Sequence, residues 1–359
     1  MNFSIMQWFD PSIFIWLAIS FALHGFVAYL WHKKLYIKLG LKNYRAIQRI
    51  HINEIPRLGG FIFIISLIGY VFFCDHSESI SLAKSILLSL IPILIIGLKE
   101  DLFYNVDPFT RLAALFFVGW LFTENFIGPL PNLNRVPFVE KLIYYQGGIT
   151  LFYILSMTAI ANGMNLIDGV NGLCAAVIFT ILTALLFLSY KTADIFMLSL
   201  IFNLILLLIP FALFNYPFGR IFLGDLGSYS LGLIVSMLTI ILIGRHPEIS
   251  PWGAVLILIY PTTELIFSML RRAIKGDSLY SADNAHIHIK LFHFFRSQPA
   301  YKKIANALIT PVLTGLWIFP LLAITWVYQN PFFIWIAIIL YVIFYILLYW
   351  VVHNLQKFK

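Results

Sequence analysis

The chain has 359 residues, 61% of them hydrophobic and 17% aromatic but only 11% charged, and its mean hydropathy is +0.89. A soluble domain carries roughly 25% charged and 45–50% apolar residues. The excess excludes a water-soluble enzyme, a disordered chain and a secreted disulfide scaffold, and leaves one polytopic membrane domain over residues 1–359. The formal net charge of +8 fits the positive-inside bias of such a protein. No basic tail or aromatic-interleaved basic patch points to nucleic acid.

The start, MNFSIMQWFDPS, lacks a basic stretch and a cleavage site, so Phe14–Trp31 reads as a retained helix and not a signal peptide. In chain order the apolar runs predict about eleven spans, at 12–31, 58–74, 82–99, 111–128, 147–164, 172–189, 194–214, 227–244, 252–270, 308–328 and 332–352. All are expected to be helices, because backbone polar groups in hydrocarbon must be satisfied within the segment. The predicted fold class is therefore all-α and integral to the membrane.

Basic residues orient the bundle. Lys33, Lys34, Lys38, Lys42, Arg45, Arg49 and Arg57 crowd the first connection. Arg271, Arg272, Lys275, Lys290, Arg296, Lys302 and Lys303 crowd the ninth. Lys99, Arg111, Arg220, Lys357 and Lys359 join that side, against Lys84, Arg135, Lys141, Lys191 and Arg245 on the other. The richer side is expected to be cytoplasmic, with the N-terminus outside and the C-terminus inside. The connections near 31–57, 99–111, 162–172, 215–228 and 271–307 then face the cytoplasm. Cys74 and Cys174 fall near opposite faces, which argues against a disulfide, and metal-type cysteine spacing is absent. No internal repeat supports an inverted-repeat transporter.

Ionisable residues beside membrane spans are functional candidates by default, and here they gather at the cytoplasmic ends. Glu100 and Asp101 are adjacent carboxylates after an apolar helix, suited to holding a cation or taking a proton. A solvated helix end is the plain alternative. Arg111, where the chain re-enters the membrane, can clamp a phosphate bidentately or serve as a snorkelling anchor. Asn162, Asn165 and Asp168 recur at i, i+3, i+6 on one helix sector, followed by Gly169, Asn171 and Gly172. Their oxygens are hard ligands suited to Mg²⁺, and the glycines permit a turn and close approach. Interhelical amide hydrogen bonds are the alternative. Asp225 lies between glycines in Gly224-Asp-Leu-Gly227 at the start of an apolar helix. There it can hold Mg²⁺ on a diphosphate or act as an ordinary N-cap. Arg271 and Arg272, followed by His286 and His288, suit a diphosphate in a basic pocket. Positive-inside charge and a loop histidine pair are the alternative. Zinc is disfavoured, because no cysteines accompany the histidines and the HExxH pattern is missing.

Taken together, these segments resemble the polyprenyl-phosphate N-acetylhexosamine-1-phosphate transferase family. The matching pieces, in the family's order, are Pro56-Arg-Leu-Gly-Gly60, Gly97-Leu-Lys-Glu-Asp101 with Arg111, Asn162 to Leu173, Phe222 to Ser228, Pro261-Thr-Thr-Glu264 with Arg271-Arg272, and Ala285-His-Ile-His288. The likeness runs from His51 to Leu291. It implies Mg²⁺-dependent transfer of a sugar-1-phosphate from a UDP-sugar to undecaprenyl phosphate, with release of UMP. It implies a bacterial cytoplasmic membrane, a site facing the cytoplasm, and compatibility with a homodimer. By the same resemblance Asp225 and Asn165 would be metal ligands, and Asp101, Asp168 and Glu100 catalytic. Arg57, Arg111, Asn162, Asn171, Arg271, His286 and His288 would bind substrate, with Asn171 near the uracil. Glu100, Asn171 and Glu264 stand where the family often has Asp, and Ile289 where many members have a third histidine. The Pro-Arg-Leu-Gly-Gly form and the reduced histidine motif look more like the O-antigen and exopolysaccharide initiators. A muramoyl-pentapeptide-type transferase, a catalytically degenerate member and a transporter are the alternatives.

Overall fold

The computed structural model describes residues 11–34, 55–73, 78–126, 128–133, 147–276 and 285–355. Among them every regular element is helical, so the backbone satisfies itself within each segment, as an apolar surrounding demands. In chain order these are α1 (Ile13–His32), α2 (Gly59–Phe73), α3 (Glu78–Phe103), α4 (Pro108–Asn125), α5 (Gly148–Ile167), α6 (Leu173–Lys191) and α7 (Ile195–Asn215). They continue with α8 (Gly224–Arg245), α9 (Trp252–Ile257), α10 (Ile259–Lys275), α11 (Ile287–Ser297), α12 (Ala305–Val312), α13 (Thr314–Val327) and α14 (Pro331–Leu355).

Each expected span falls on one helix or a broken pair. Among the described residues eight helical segments are long and apolar enough to cross a membrane: α1, α3, α5, α6, α7, α8, α12–α13 and α14. The protein is an all-α integral membrane protein. The expected span at 252–270 is interrupted at Leu258. Pro261 lacks the N–H that would bond back to the Ile257 carbonyl, so the turn there cannot close. The ninth connection was expected to be a loop, yet it contains α11. Ile287, Leu291 and Phe292 form the buried stripe of that short helix, at helical spacing. Cys74, His51, Arg135, Lys141 and the stretch Asp277–Asn284 lie outside the described residues.

Helix α8 is the hub. Every residue from Gly224 to Gly244 is buried, and α2, α3, α5 and α6 pack around it. By contrast α1 and α14 present Phe14, Phe26, Trp335, Ile343 and Trp350 outward, as lipid-facing helices do. A polar cluster closes the end of α8 remote from Gly224. Asp194 caps α7 by accepting from Met197 N (3.0 Å) and is bonded by Arg245 Nε (2.7 Å) and His246 Nε2 (2.8 Å). Burial alone would raise its carboxyl, but the Arg245 and His246 hydrogen bonds outweigh that and hold it below the ordinary aspartate value.

Candidate active site

The site is built where α2 and α8 begin side by side. The Phe222 N–H donates to Pro56 O (2.9 Å), Gly59 N–H to Phe222 O (2.9 Å) and Gly60 N–H to Leu223 O (2.9 Å). This short ladder needs Gly60, because a Cβ there would collide with the Gly227 Cα and N. Close approach without side chains is how membrane helices gain contact. Gly224 enters α8 at φ +76°, a conformation that glycine adopts freely. The result sets Arg57, one residue after Pro56, directly on Asp225, one residue after Gly224.

Asp101 at the end of α3 locks the N-terminus of α8. Its carboxylate accepts the Asp225 N–H (2.8 Å) and the Leu226 N–H (2.9 Å) and lies 3.3 Å from Arg57 Nε. Two donors that begin a helix without intrahelical partners are thereby satisfied. Asp225 pairs with Arg57 Nη2 and accepts from Arg111 Nη1 (2.8 Å) and Asn165 Nδ2 (3.2 Å). Asn165 Nδ2 also donates to Ser228 Oγ (2.9 Å), whose hydroxyl donates to Gly224 O (2.9 Å). Glu100 accepts the Val106 N–H (2.9 Å), and its other oxygen lies 4.0 Å from Arg111 Nη1. It therefore folds the α3–α4 turn while facing the arginine.

Asp168, in the turn after α5, completes the cluster. Burial pushes its carboxyl well above the ordinary aspartate value. Arg57 opposes this, and the Asp101 and Asp225 carboxylates add to it. Burial likewise disfavours the charged Arg57, but Asp225 and Asp101 outweigh it and hold the guanidinium above its ordinary value. Four carboxylates (Glu100, Asp101, Asp168 and Asp225) thus face two guanidiniums, an oxygen-rich centre of the kind a hard cation takes. Among the described residues no three Asp, Glu, His or Cys side chains are placed to enclose a metal ion. The hard oxygens of Asp225 and Asn165 do match Mg²⁺, which takes one or two protein carboxylates and completes its shell with water and substrate phosphate. A half-turn of the Asn165 amide brings its oxygen to the place of its nitrogen. The residues fit a cation that shares its coordination with a phosphate.

The remaining expected residues lie around this centre. Asn162 turns its amide back to Thr158 O (2.9 Å). Asn171 donates from Nδ2 to Pro217 O (2.8 Å), and its backbone N–H goes to Asn306 Oδ1 (2.6 Å). Its amide nitrogen is thus engaged within the protein. His286 Nδ1 lies 3.1 Å from Glu264 Oε2, and the His286 and His288 rings stack at 5.5 Å. These three side chains are almost wholly buried. Arg271 donates to the Tyr349 hydroxyl (3.3 Å) and lies over the Phe267 and Tyr349 rings. The histidines and Arg271 therefore form a second cluster, held between α10, α11 and α14. This cluster reaches the first through α5, where Pro261 packs directly on Gly163. Sequence reasoning placed Ser228 in the Phe222–Ser228 segment without a role of its own, and missed Asn215, Asn306 and Thr310. Lone amides in apolar stretches, such as Asn215 and Asn306, were the available signal.

Comparison with known proteins adds to this geometry. The family model for glycosyl transferase family 4 matches residues 83–243. That range holds Asp101, Arg111, Asn165, Asp168 and Asp225, and excludes Arg57 and the histidine cluster. A probable undecaprenyl-phosphate N-acetylglucosaminyl 1-phosphate transferase of Bacillus subtilis is 25% identical over 268 residues, covering 73% of this chain and 72% of that protein. A decaprenyl-phosphate N-acetylglucosaminephosphotransferase of Mycobacterium tuberculosis is 22% identical over 289 residues, 72% of this chain and 71% of that one. A phospho-N-acetylmuramoyl-pentapeptide-transferase of Streptococcus thermophilus is 27% identical over 201 residues, 52% of this chain and 58% of its own.

Proposed function

We propose that this chain, a member of glycosyl transferase family 4, transfers a sugar-1-phosphate from a UDP-sugar to undecaprenyl phosphate. The sugar would be an N-acetylhexosamine, and the step would initiate a cell-surface glycan. One observation carries the reading: five separated segments, bearing Arg57, Asp101, Arg111, Asn165 with Asp168, and Asp225, converge on the first turn of α8.

In this reaction an oxygen of the lipid phosphate attacks the phosphorus that carries the sugar. The bond to the bridging oxygen of UMP breaks, and UMP leaves. One anhydride is exchanged for another, so no separate energy source is needed. The obstacle is repulsion between two anions. Arg57 and Arg111 supply fixed positive charge beside Asp225, and such preorganised charge lowers the barrier of phosphoryl transfer. Asp225 and the Asn165 oxygen would hold Mg²⁺, which when bound neutralises diphosphate charge. Asp101 keeps the first turn of α8, and with it Asp225, fixed in place. Asp168, whose carboxyl burial raises above its ordinary value, faces the same centre from the turn after α5. A membrane setting suits an acceptor with a polyprenyl tail.

The test is transfer of label into the lipid fraction from a panel of UDP-N-acetylhexosamines and UDP-N-acetylmuramoyl-pentapeptide. Membranes containing the chain receive undecaprenyl phosphate, with and without Mg²⁺. Label that appears in lipid and is lost without Mg²⁺ supports the reading and names the sugar. No transfer from any donor by well-inserted protein overturns it.

A further inference from the structure

Asn171 lies three residues past Asp168, and one helix takes both of its backbone polar groups. Its N–H donates to Asn306 Oδ1 (2.6 Å), and its carbonyl accepts from Thr310 Oγ1 (2.6 Å). Asn306 and Thr310 are four residues apart and therefore share a face of α12. Thr310 is held from behind, since its carbonyl accepts from Trp317 Nε1 of α13 (2.9 Å). The other side of the turn is gripped as firmly. The Gly172 N–H donates to Asn215 Oδ1 (2.7 Å), and Asn215 Nδ2 donates to Ile221 O (2.9 Å). Ile221 leads straight into Gly224 and Asp225. The Asp168 turn is thus clamped between α12 and the strap that carries Asp225.

The clamp joins distant parts of the chain. Asn306 and Thr310 stand 135 and 139 residues from Asn171 and outside the family match at 83–243. Helix α11, which begins at the His286–His288 pair, packs on α12. One helical unit therefore carries the histidines and grips the turn of the acid cluster. A buried backbone N–H or C=O must find a partner, but the partners need not be side chains from another helix.

We propose that Asn306 and Thr310 are positioning residues for the transfer. They act through Asn171 to keep Asp168 in register with Asp225, and they couple the seating of the α11–α12 unit to the acid cluster. The kinetic part of this inference rests on the proposed function.

Four variants test it. Asn306→Leu and Thr310→Val remove the polar atom at similar volume, whereas Asn306→Asp keeps an accepting oxygen and Thr310→Ser keeps the hydroxyl. In the solubilised full chain, amide hydrogen exchange over residues 168–172 should rise in the first two and stay low in the second two. In the label-transfer assay the first two should lose about 10–100-fold in kcat, the scale expected of misplacement by about 1 Å. Their KM for undecaprenyl phosphate should stay within about twofold, and the conservative pair should recover most of the rate. Unchanged exchange or unchanged kcat in Asn306→Leu and Thr310→Val overturns the proposal. So does an Asn306→Asp variant no more active than Asn306→Leu. If the unmodified chain transfers no donor, the function reading has failed, while the exchange measurement still decides the clamp.

Discussion

Replacing Gly60 with alanine should disable transfer without touching a charged residue. The new Cβ would collide with Gly227 Cα and N and stand 2.7 Å from Leu223 O. All three are backbone atoms, so none can rotate aside. The start of α2 must slide away from α8, stretching the Gly60 N–H to Leu223 O and Gly59 N–H to Phe222 O bonds, both 2.9 Å. Overpacking costs about 1–3 kcal/mol, and two weakened hydrogen bonds add about 0.5–1.5 kcal/mol each. The expected loss of stability is therefore about 2–6 kcal/mol. Arg57 sits three residues before Gly60 and moves with it, and a shift of about 1 Å at a reacting centre costs about 100-fold in rate. Gly25→Ala is the control, because its Cβ would meet only Phe214 Cζ at an ordinary 3.6 Å. The assay is label transfer normalised to inserted protein, together with thermal melting in detergent. Gly60→Ala should lose about 100-fold in rate and melt earlier, while Gly25→Ala matches the unmodified chain. Indistinguishable behaviour of the two variants would refute the close-packed start of α2 and α8.

Asp225→Ala should abolish transfer while the protein still inserts, because Arg57, Arg111 and Asn165 all converge on that carboxylate; near-normal turnover contradicts its central role. Asp101→Ala removes both acceptors at the start of α8 and one partner of a buried ion pair, a loss of about 3–5 kcal/mol. Asp101→Asn keeps one acceptor and should lose about 1–3 kcal/mol, so the melting order should be unmodified chain, Asn, then Ala. At the opposite end of the bundle, Asp194 has its carboxyl held below 3.8. A depressed folded-state value contributes stability above the unfolded value that is lost as pH falls through the folded one. Asp194→Asn should therefore melt earlier near neutral pH, and the gap to the unmodified chain should close as the pH falls below 3.8; a gap independent of pH would contradict the Arg245–His246 pairing.

The outline of the fold was legible because hydrocarbon allows few solutions. Long apolar runs such as 194–214 and 332–352 must be helices, and they are α7 and α14. The breaks were less legible. Pro261 marks the interruption before α10 only in hindsight, since a proline in a membrane helix is often tolerated. Helix α11 was hidden because its amphipathic pattern is short and lies in a basic connection. In the candidate site, Asp101, Asp168 and Asp225 stood out as acids at the ends of apolar helices, and they do lie together.

What each acid does depended on contacts between segments far apart in sequence. No local pattern indicates that Asp101 receives the amides of Asp225 and Leu226, 124 and 125 residues away. Asn171, expected near a ligand, has its amide nitrogen on Pro217 O and its backbone on α12. The histidine pair, expected beside phosphates, is buried against Glu264. By itself the sequence determined that the chain lives in a membrane, that its elements are helices, and that its acids gather at helix ends. These follow from the energetics of placing each residue in lipid or water, and each residue carries that preference alone. Tertiary structure decided the partners: which carboxylate meets arginine, which caps a helix, and which turn is clamped. Hydrogen bonds and ion pairs act over about 3 Å, so their outcome depends on the packing of helices that one sequence pattern cannot order in space.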